Sequence, residues 1–295
     1  AGWAGEEAAP DGGPGSEWAV SSPPGPGGDP LPGPGSTVYA NPICSQLDQL
    51  LLRCDDFESV LGLLVTHRGV FFVHNLITAI QMLGSIAEEQ SDPVALNRLL
   101  RDPRYDVLIR DLLRFVPKLD FAAMTGVACS LRQLHHRHYL LLSRMMRPLL
   151  RQPVPDAATL LRCVRAYAWG GFQAQHAFYA HCARELATAA PSLPADQLVD
   201  ACALFAGAAR YHGTFFAAAE RELLVRGELL EGALRPAEVA LVAAAFTAHL
   251  RASHDELLGR VAQAVQRGAA DMGVADVARC FKAFRRVALH FDGAL

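Results

Sequence analysis

Three runs of basic residues at helical spacing are the features of this chain best suited to chemistry. Arg144, Arg147 and Arg151 fall at i, i+3 and i+7, and Arg110 and Arg114 at i and i+4. Near the C-terminus Arg279, Lys282, Arg285 and Arg286 repeat the pattern. Such spacing puts each set on one helix face. Counter-charges are scarce: residues 98–151 hold 11 bases, Arg104 and Arg137 among them, against four acids. Of the 27 bases in the chain 25 are arginine, and a planar guanidinium contacts phosphate in a bidentate way that an ammonium does not. Rows of arginine without paired acids form a positive track that follows a phosphodiester backbone. Two plainer causes yield the same residues: lone basic stripes are ordinarily solvated faces, and a GC-rich coding sequence raises Arg, Ala, Gly and Pro together.

Other polar clusters are less suited to chemistry. His135-His136-Arg137-His138 places adjacent imidazoles in divergent directions with no carboxylate or thiol at ligand spacing, which reads as an exposed basic turn. His176 and His181 are five apart and do not share a helix face with Cys182 as a ligand set would need. No G-x-S-x-G, H-E-x-x-H, phosphate loop or dinucleotide fingerprint occurs. We therefore expect no enzyme, no metal site and no cofactor. Seven cysteines, odd in number and without a C-x-x-C pair, read as buried thiols of a reducing compartment.

The elements that position these residues are helices. Half the chain is apolar (51%) but only 8% is aromatic, and the dominance of Ala and Leu favours close-packed helices over sheets. No run is long and apolar enough to span a membrane. Residues 1–41, of the type SSPPGPGGDPLPGPGS, are a Gly/Pro-rich low-complexity tract expected to be disordered. Residues 1–50 carry six acids and no base, leaving 27 bases against 24 acids in the rest. A helical region is expected over 42–119, with helices at Gln46–Cys54, Phe57–Thr66, Val73–Glu89, Val94–Leu100 and Tyr105–Phe115. Asp92 and Pro93 form an N-cap and first-position pair for the fourth of these.

Residues 120–295 repeat. Five segments in register start at Asp120, Asp156, Pro194, Arg235 and Gly273, spaced by 36, 38, 41 and 38 residues. Their fifth positions are Met124, Leu160, Leu198, Val239 and Val277, and their eighth Val127, Cys163, Ala201, Val242 and Cys280. The ninth are Ala128, Val164, Cys202, Ala243 and Phe281. The twelfth are Leu131, Tyr167, Phe205, Phe246 and Phe284, always large. Positions 5, 8, 9 and 12 form one helix face. A short polar or glycine break and a second helix follow in the first four copies. The expected fold is all-α, an α-solenoid of helical hairpins of about 38 residues stacked because one hairpin cannot bury its own apolar face. The array reaches Leu295 within a repeat and without a polar cap, so a truncated array is expected. The aromatic twelfth positions are expected in the core, not as stacking platforms for bases.

Residues 57–152 resemble the helical region of the FAST kinase domain-containing family of mitochondrial RNA-binding proteins. The resemblance runs through FESVLGLLVTHRGVFFVHNLITAIQMLGSIAEEQ and LLRDPRYDVLIRDLLRFVPKLDFAAMTGVACSLRQLHHRHYLLLSRMMRPLL. Its most specific string is D-P-R-Y, Asp102 to Tyr105, matching the family's D-x-R-[FY] element. The later copies look like octotricopeptide-type organellar repeats. The resemblance implies a helical-repeat protein of the mitochondrial matrix, or of another organelle, that binds single-stranded RNA or ribosomal RNA. It would act in RNA processing, stability or ribosome assembly, beside other organellar RNA-processing or ribosomal proteins. A C-terminal RAP domain often follows in that family; none is present here, nor is any kinase motif. The expected RNA-contacting residues are Arg104, Arg110, Arg114, Arg137, Arg144, Arg147, Arg151, Arg279, Lys282, Arg285 and Arg286. The alternative is a protein-interaction scaffold of HEAT or TPR type with the same fold, and the disposition of the arginines distinguishes the two.

Overall fold

The structure, a computed structural model, describes residues 42–208, 211–227, 232, 234–249 and 254–292, the side chains of the last helix being described to Ala288. The tract 1–41, expected to be disordered, and the break Arg251-Ala252-Ser253 lie outside the described residues. Among the described residues there are fourteen α-helices and no strand, so the fold is all-α. None of these helices is long and apolar enough to cross a membrane.

The first five helices are α1 (Pro42–Leu51), α2 (Phe57–Thr66), α3 (Val73–Gln90), α4 (Pro93–Leu100) and α5 (Pro103–Phe115). Four of them match the sequence expectation to within two residues. The exception is α1, expected at Gln46–Cys54. It starts four residues earlier, where Pro42 supplies a pre-set φ for the first turn, and Leu52 and Arg53 form a turn. Asp56 caps α2 by accepting from the Ser59 amide at 2.8 Å. Asp92 caps α4 from the Val94 amide, also at 2.8 Å, with Pro93 in the first turn as expected. The stripe Leu76, Ile77, Ile80, Leu83 and Ile86 of α3 is wholly buried.

The repeat segments give α6 (Phe121–Gln133) with α7 (Tyr139–Leu149), α8 (Ala157–Trp169) with α9 (His176–Ala189), and α10 (Ala195–Ala206) with α11 (Gly213–Val225). Then come α12 (Pro236–Phe246) with α13 (Asp255–Gly268), and last α14 (Val274–Asp292). First helices pack on first helices: α1 on α3, then α6, α8, α10, α12 and α14 in succession. Second helices do likewise, α2 with α5 and α5 with α7, then α9 with α11 and α11 with α13. One continuous core runs through them from Leu51 to Ala283. At the tightest crossing, α3 on α6, a Cβ on Gly84 would lie 3.1 Å from Ser130 Cα. Glycine there lets the two backbones approach.

Local geometry repeats with the register. Asp120 and Asp156, first in their copies, each accept from an amide three residues on at 2.7 Å. At position 16, His135 (φ 50°) and Gly171 (φ 88°) take the left-handed conformation that ends the first helix. The next amide then closes on the carbonyl of position 12, His136 to Leu131 at 2.9 Å and Phe172 to Tyr167 at 3.1 Å. Side chains 33 residues after a first-helix junction reach back to it: the Gln152 amide donates to Leu119 O at 2.8 Å and Arg226 to Leu193 O at 2.6 Å.

The core positions separate the last copy from the others. Positions 5, 8, 9 and 12 of the first four copies are all buried, including Tyr167, Phe205 and Phe246. In the fifth only Cys280 is; Phe284 is half-buried, while Val277 and Phe281 are 44% and 76% exposed. The expectation of a buried face fails there because α14 packs on α12 with one side, and no described helix packs on the other.

Candidate nucleic-acid interface

Helices α5 and α7 are amphipathic and adjacent in the row of second helices. Tyr105, Leu108, Ile109 and Leu112 turn α5 inward, which leaves Asp106, Arg110 and Arg114 outward. Leu141, Leu142, Met145 and Leu149 do the same for α7 and leave Arg144, Arg147 and, just beyond the helix, Arg151 exposed. The ends of the two helices are tied by the Gln152 to Leu119 bond, so Arg114 and Lys118 at the end of α5 neighbour the end of α7 that carries Arg147 and Arg151. Among the described residues none of Arg110, Arg114, Lys118, Arg144, Arg147 and Arg151 forms an ion pair. Arg114 and Lys118 lie over the Phe115 ring, 5.8 and 5.4 Å from its centroid. Cations at helix C-termini also meet the negative end of the helix dipole, so part of this arrangement stabilises the helices themselves.

Arg137 stands apart from this group, at the other end of α7, with its guanidinium 5.3 Å from the Trp169 ring of α8. Arg104 differs more. Its guanidinium donates to both oxygens of Glu58 at 2.6 and 2.7 Å and to both oxygens of Asp102 at 2.9 and 2.7 Å. The guanidinium holds both carboxyls below their usual range. Asp102 also caps α5 through the Arg104 amide at 2.8 Å, and Pro103 sits in the first turn. Tyr105 is buried, its hydroxyl 2.8 Å from His136 Nδ1. The D-P-R-Y string is thus a clamp joining α2, α5 and the turn after α6. The remaining candidates lie in the first-helix row on α14: Lys282, Arg285 and Arg286 exposed, and Arg279 half-exposed with a 2.7 Å contact to Asp276. The structure therefore brings Arg110, Arg114, Arg144, Arg147 and Arg151 onto neighbouring helices and leaves Arg104, Arg137 and the α14 set elsewhere.

Sequence spacing missed Lys118 as part of the α5–α7 group, although its place in the basic segment was a signal. It gave no sign of the Phe115 and Trp169 rings beneath the cations, because ring and cation meet through folding and not through a helix period.

The histidine turn is only partly the exposed basic turn expected. His135 and Arg137 are exposed, but His136 and His138 face inward, where the Nδ1 of His138 accepts from the Leu141 amide at 3.1 Å and caps α7. His212 and His254 occupy the same cap position of α11 and α13. Among the described residues no three His, Cys, Asp or Glu side chains converge on a point that would hold an ion. A Glu220–His254–Tyr211 chain of hydrogen bonds, 2.7 and 3.1 Å, has the look of an acid–base relay. His254 is 4% exposed, and the chain of bonds joins α11 to the start of α13. The seven thiols are free, and burial pushes that of Cys163 up to about 12, so it stays protonated and unreactive.

Burial lowers the pKa of His136, His138 and His212; the neighbouring His138 adds to the shift for His136, and His176 and His249 add to it for His212. A folded-state pKa below the unfolded value of 6.5 means the unfolded chain takes up protons first as pH falls. These groups stabilise fully above 6.5, and the stabilisation declines below it until the folded pKa values are passed. The depressed carboxyls of Asp56, Asp102, Asp156 and Glu238 act only near and below their own unfolded values of 3.8 to 4.5. Burial raises the thiols of Cys163, Cys182 and Cys202 above their unfolded value of 9.0, so thermal melts should show a plateau only between about neutrality and that value, and a falling melting temperature between pH 6.5 and 5. A flat profile over that window would contradict the buried, neutral state of these rings.

No protein-family model matches the chain, and no curated protein matches it in sequence.

Proposed function

We propose that residues 42–295 form an α-solenoid of helical hairpins, about 38 residues each in the repeating part, that binds single-stranded RNA. The observation that carries this reading is the α5–α7 group: Arg110, Arg114, Lys118, Arg144, Arg147 and Arg151, exposed, on neighbouring helices, and without ion pairs among the described residues. Six cations on neighbouring helices, with Asp106 the one acid exposed among them on α5 and no ion pair among the described residues, leave an excess of positive charge that a polyanion relieves. A single strand suits such a surface because its phosphates bend to follow protein charges while its bases stay unpaired. The resemblance of residues 57–152 to the FAST kinase domain-containing family supports the same reading and an organellar, mitochondrial setting in RNA processing, stability or ribosome assembly. Nothing in the arrangement of side chains described above favours catalysis, and we read the chain as a binding protein.

A second reading, a scaffold for protein partners, draws on one observation. Val274, Val277 and Phe281 form an exposed apolar stripe on α14, with Val274 89% and Phe281 76% exposed, and such stripes mark protein contacts.

Filter binding of single-stranded RNA at several salt concentrations separates the two. Contact with about five phosphates gives a log–log slope near −3.5, at roughly −0.7 per phosphate. Replacing Arg144, Arg147 and Arg151 by Glu should flatten that slope and weaken binding by more than tenfold. A flat salt response from the unaltered chain, or binding indifferent to the three replacements, would leave the scaffold reading standing.

A further inference from the structure

The α14 basic residues are not a lesser copy of the α5–α7 group. Arg279, Lys282 and Arg286, at i, i+3 and i+7, line one wall of a cavity of about 260 Å³ that crosses α10, α12 and α14. Its other lining residues are Ala203 and Ala206 of α10, Leu241, Ala244 and Ala245 of α12, and Ala283 of α14. The space exists because five of these six are alanine. Arg285, which follows the same helical pattern in sequence, does not line the cavity.

Three charges of one sign share the cavity, and among the described residues no acid lines it. Arg279 contacts Asp276 at 2.7 Å, whereas Lys282 and Arg286 have no ion-pair partner among the described residues. Repulsion between neighbouring cations is screened less in a recess than on open surface, so this wall favours an anion. Chemistry narrows the anion further. Among the described residues no aromatic ring lines the cavity, so they offer no platform on which a base could stack. No side-chain amide, hydroxyl or carboxylate lines it either, so nothing there reads a base edge. What the lining offers is positive charge beside small apolar surface, which accommodates a phosphate and the sugar attached to it.

We propose that this cavity is a second, sequence-independent RNA site that holds backbone phosphates, distinct from the α5–α7 surface and on the other row of helices. The proposal rests on the RNA-binding reading above and assigns to Lys282 and Arg286, supported by Arg279, the contact with about two phosphates. A strand would lie there by its backbone, with its bases directed away from the protein.

The test uses the full chain and fluorescent 20-nucleotide oligo(U), oligo(A) and a strand with abasic sites, each titrated at several salt concentrations. Lys282→Gln with Arg286→Gln should reduce the magnitude of the salt slope by about 1.4, two phosphates at roughly 0.7 each, and by the same amount on all three strands. Ala244→Leu keeps every charge and fills the floor; it should weaken binding to all three alike. Arg144→Gln with Arg147→Gln and Arg151→Gln should subtract its own part of the slope independently. Circular dichroism melts establish that each variant is folded. If RNA binds but the slope is indifferent to the Lys282 and Arg286 replacements and to Ala244→Leu, the cavity proposal fails while the α5–α7 reading survives. A loss confined to oligo(U) or oligo(A) overturns it in favour of base reading. Capture of a glutamate-rich helical peptide, abolished by the double replacement with RNA binding intact, overturns it in favour of an acidic protein partner. An unaltered chain that binds none of the strands overturns both readings.

Discussion

Phe205→Ala should cost about 3–5 kcal/mol and lower the melting temperature by roughly 6–20 °C for a domain of this size. The ring is wholly buried at the twelfth position of its copy. It touches rings on both sides, with centroids 4.7 Å from Phe215, 5.8 Å from Tyr179 and 5.5 Å from His212. Those three belong to different elements, α11, α9 and the cap before α11, so truncation opens a cavity where two successive hairpins meet. Neighbours on three elements cannot all move in to fill it, which puts the cost toward the upper part of the range for large-to-small changes. Phe281→Ala is the internal control, the same residue type at the ninth position of the last copy and 76% exposed. It should change stability by less than about 0.5 kcal/mol. Two thermal melts settle the matter. A Phe205 variant melting within about 3 °C of the unaltered chain, or a Phe281 variant losing as much as Phe205, would break the correspondence between repeat position and core.

That pair also marks how far the sequence is legible. The period of positions 5, 8, 9 and 12 identifies the core of the first four copies without error, because burial of those positions needs only a neighbouring copy on each side. It misassigns Val277 and Phe281 for the same reason: their type announces burial, but burial depends on what packs against α14. Helix ends are readable where a capping side chain announces them, as at Asp56, Asp92, Asp120 and Asp156, and less so at α1, whose start at Pro42 lies four residues before the apolar period suggests. The basic residues are the hardest case. Helical spacing puts each set on one face, yet Arg285 stands off the wall that Arg279, Lys282 and Arg286 share, and spacing treats alike Arg104, held by two carboxylates from different helices, and Arg144, held by none. The partner of Arg104 is Glu58, 46 residues away, and a contact of that separation has no periodic signature. The same limit hides the α14 cavity, whose floor comes from α10 and α12 while its charges come from α14.

The electrostatics divide accordingly into fixed and free charges. Arg104, Arg165 against Asp200, Arg235 against Glu238, Arg260 against Glu256 and Arg279 against Asp276 sit in pairs within or between hairpins. Exposed pairs of this kind contribute little to stability, about 0–1 kcal/mol each, and their main consequence is to offset part of the charge those arginines would offer an anion. Of the described arginines outside such pairs, Arg110, Arg114, Arg144, Arg147 and Arg151 lie on α5 and α7 and Arg285 and Arg286 on α14, two surfaces on different rows, while Arg98, Arg137, Arg162 and Arg184 are exposed singly elsewhere. A polyanion contacting both would have to cross from one row to the other, which is why the two sets should contribute independently to salt dependence.

Arg226→Met should destabilise the chain by about 2–4 kcal/mol, because hydrogen bonds to a charged group contribute about 1.5–3 kcal/mol each and a buried acceptor left without a donor costs about 1–3 kcal/mol. The guanidinium donates to Leu193 O at 2.6 Å, Ala190 O at 3.0 Å and Pro191 O at 2.8 Å. These carbonyls belong to the turn that joins α9 to α10; Ala190 O also accepts from the Leu193 amide at 3.3 Å, while Pro191 O and Leu193 O lie past the last intrahelical donors. The positive charge also meets the negative end of the α9 dipole. Leu193 is 3% exposed, which bars water from replacing the lost donor at its carbonyl; Ala190 O keeps the Leu193 amide as a donor, and Pro191 is exposed and can be rehydrated. Methionine keeps most of the apolar stem and removes the three donors together with the 3.7 Å contact to Glu222, an i,i+4 pair whose own contribution is about 0.2–0.5 kcal/mol. Arg226→Lys discriminates further: an ammonium retains the charge but lacks the planar fork that spans three carbonyls, so it should recover less than half of the loss. Equal stability of the lysine and arginine forms would show that charge alone suffices. Equal stability of the methionine form would show that the turn holds without its cap. Gln152, at the same place in its own copy with a single bond to Leu119 O at 2.8 Å, fixes the scale expected for one neutral donor. Its replacement by Met should cost about 0.5–1.5 kcal/mol, so the ratio of the two losses measures how much the fork adds.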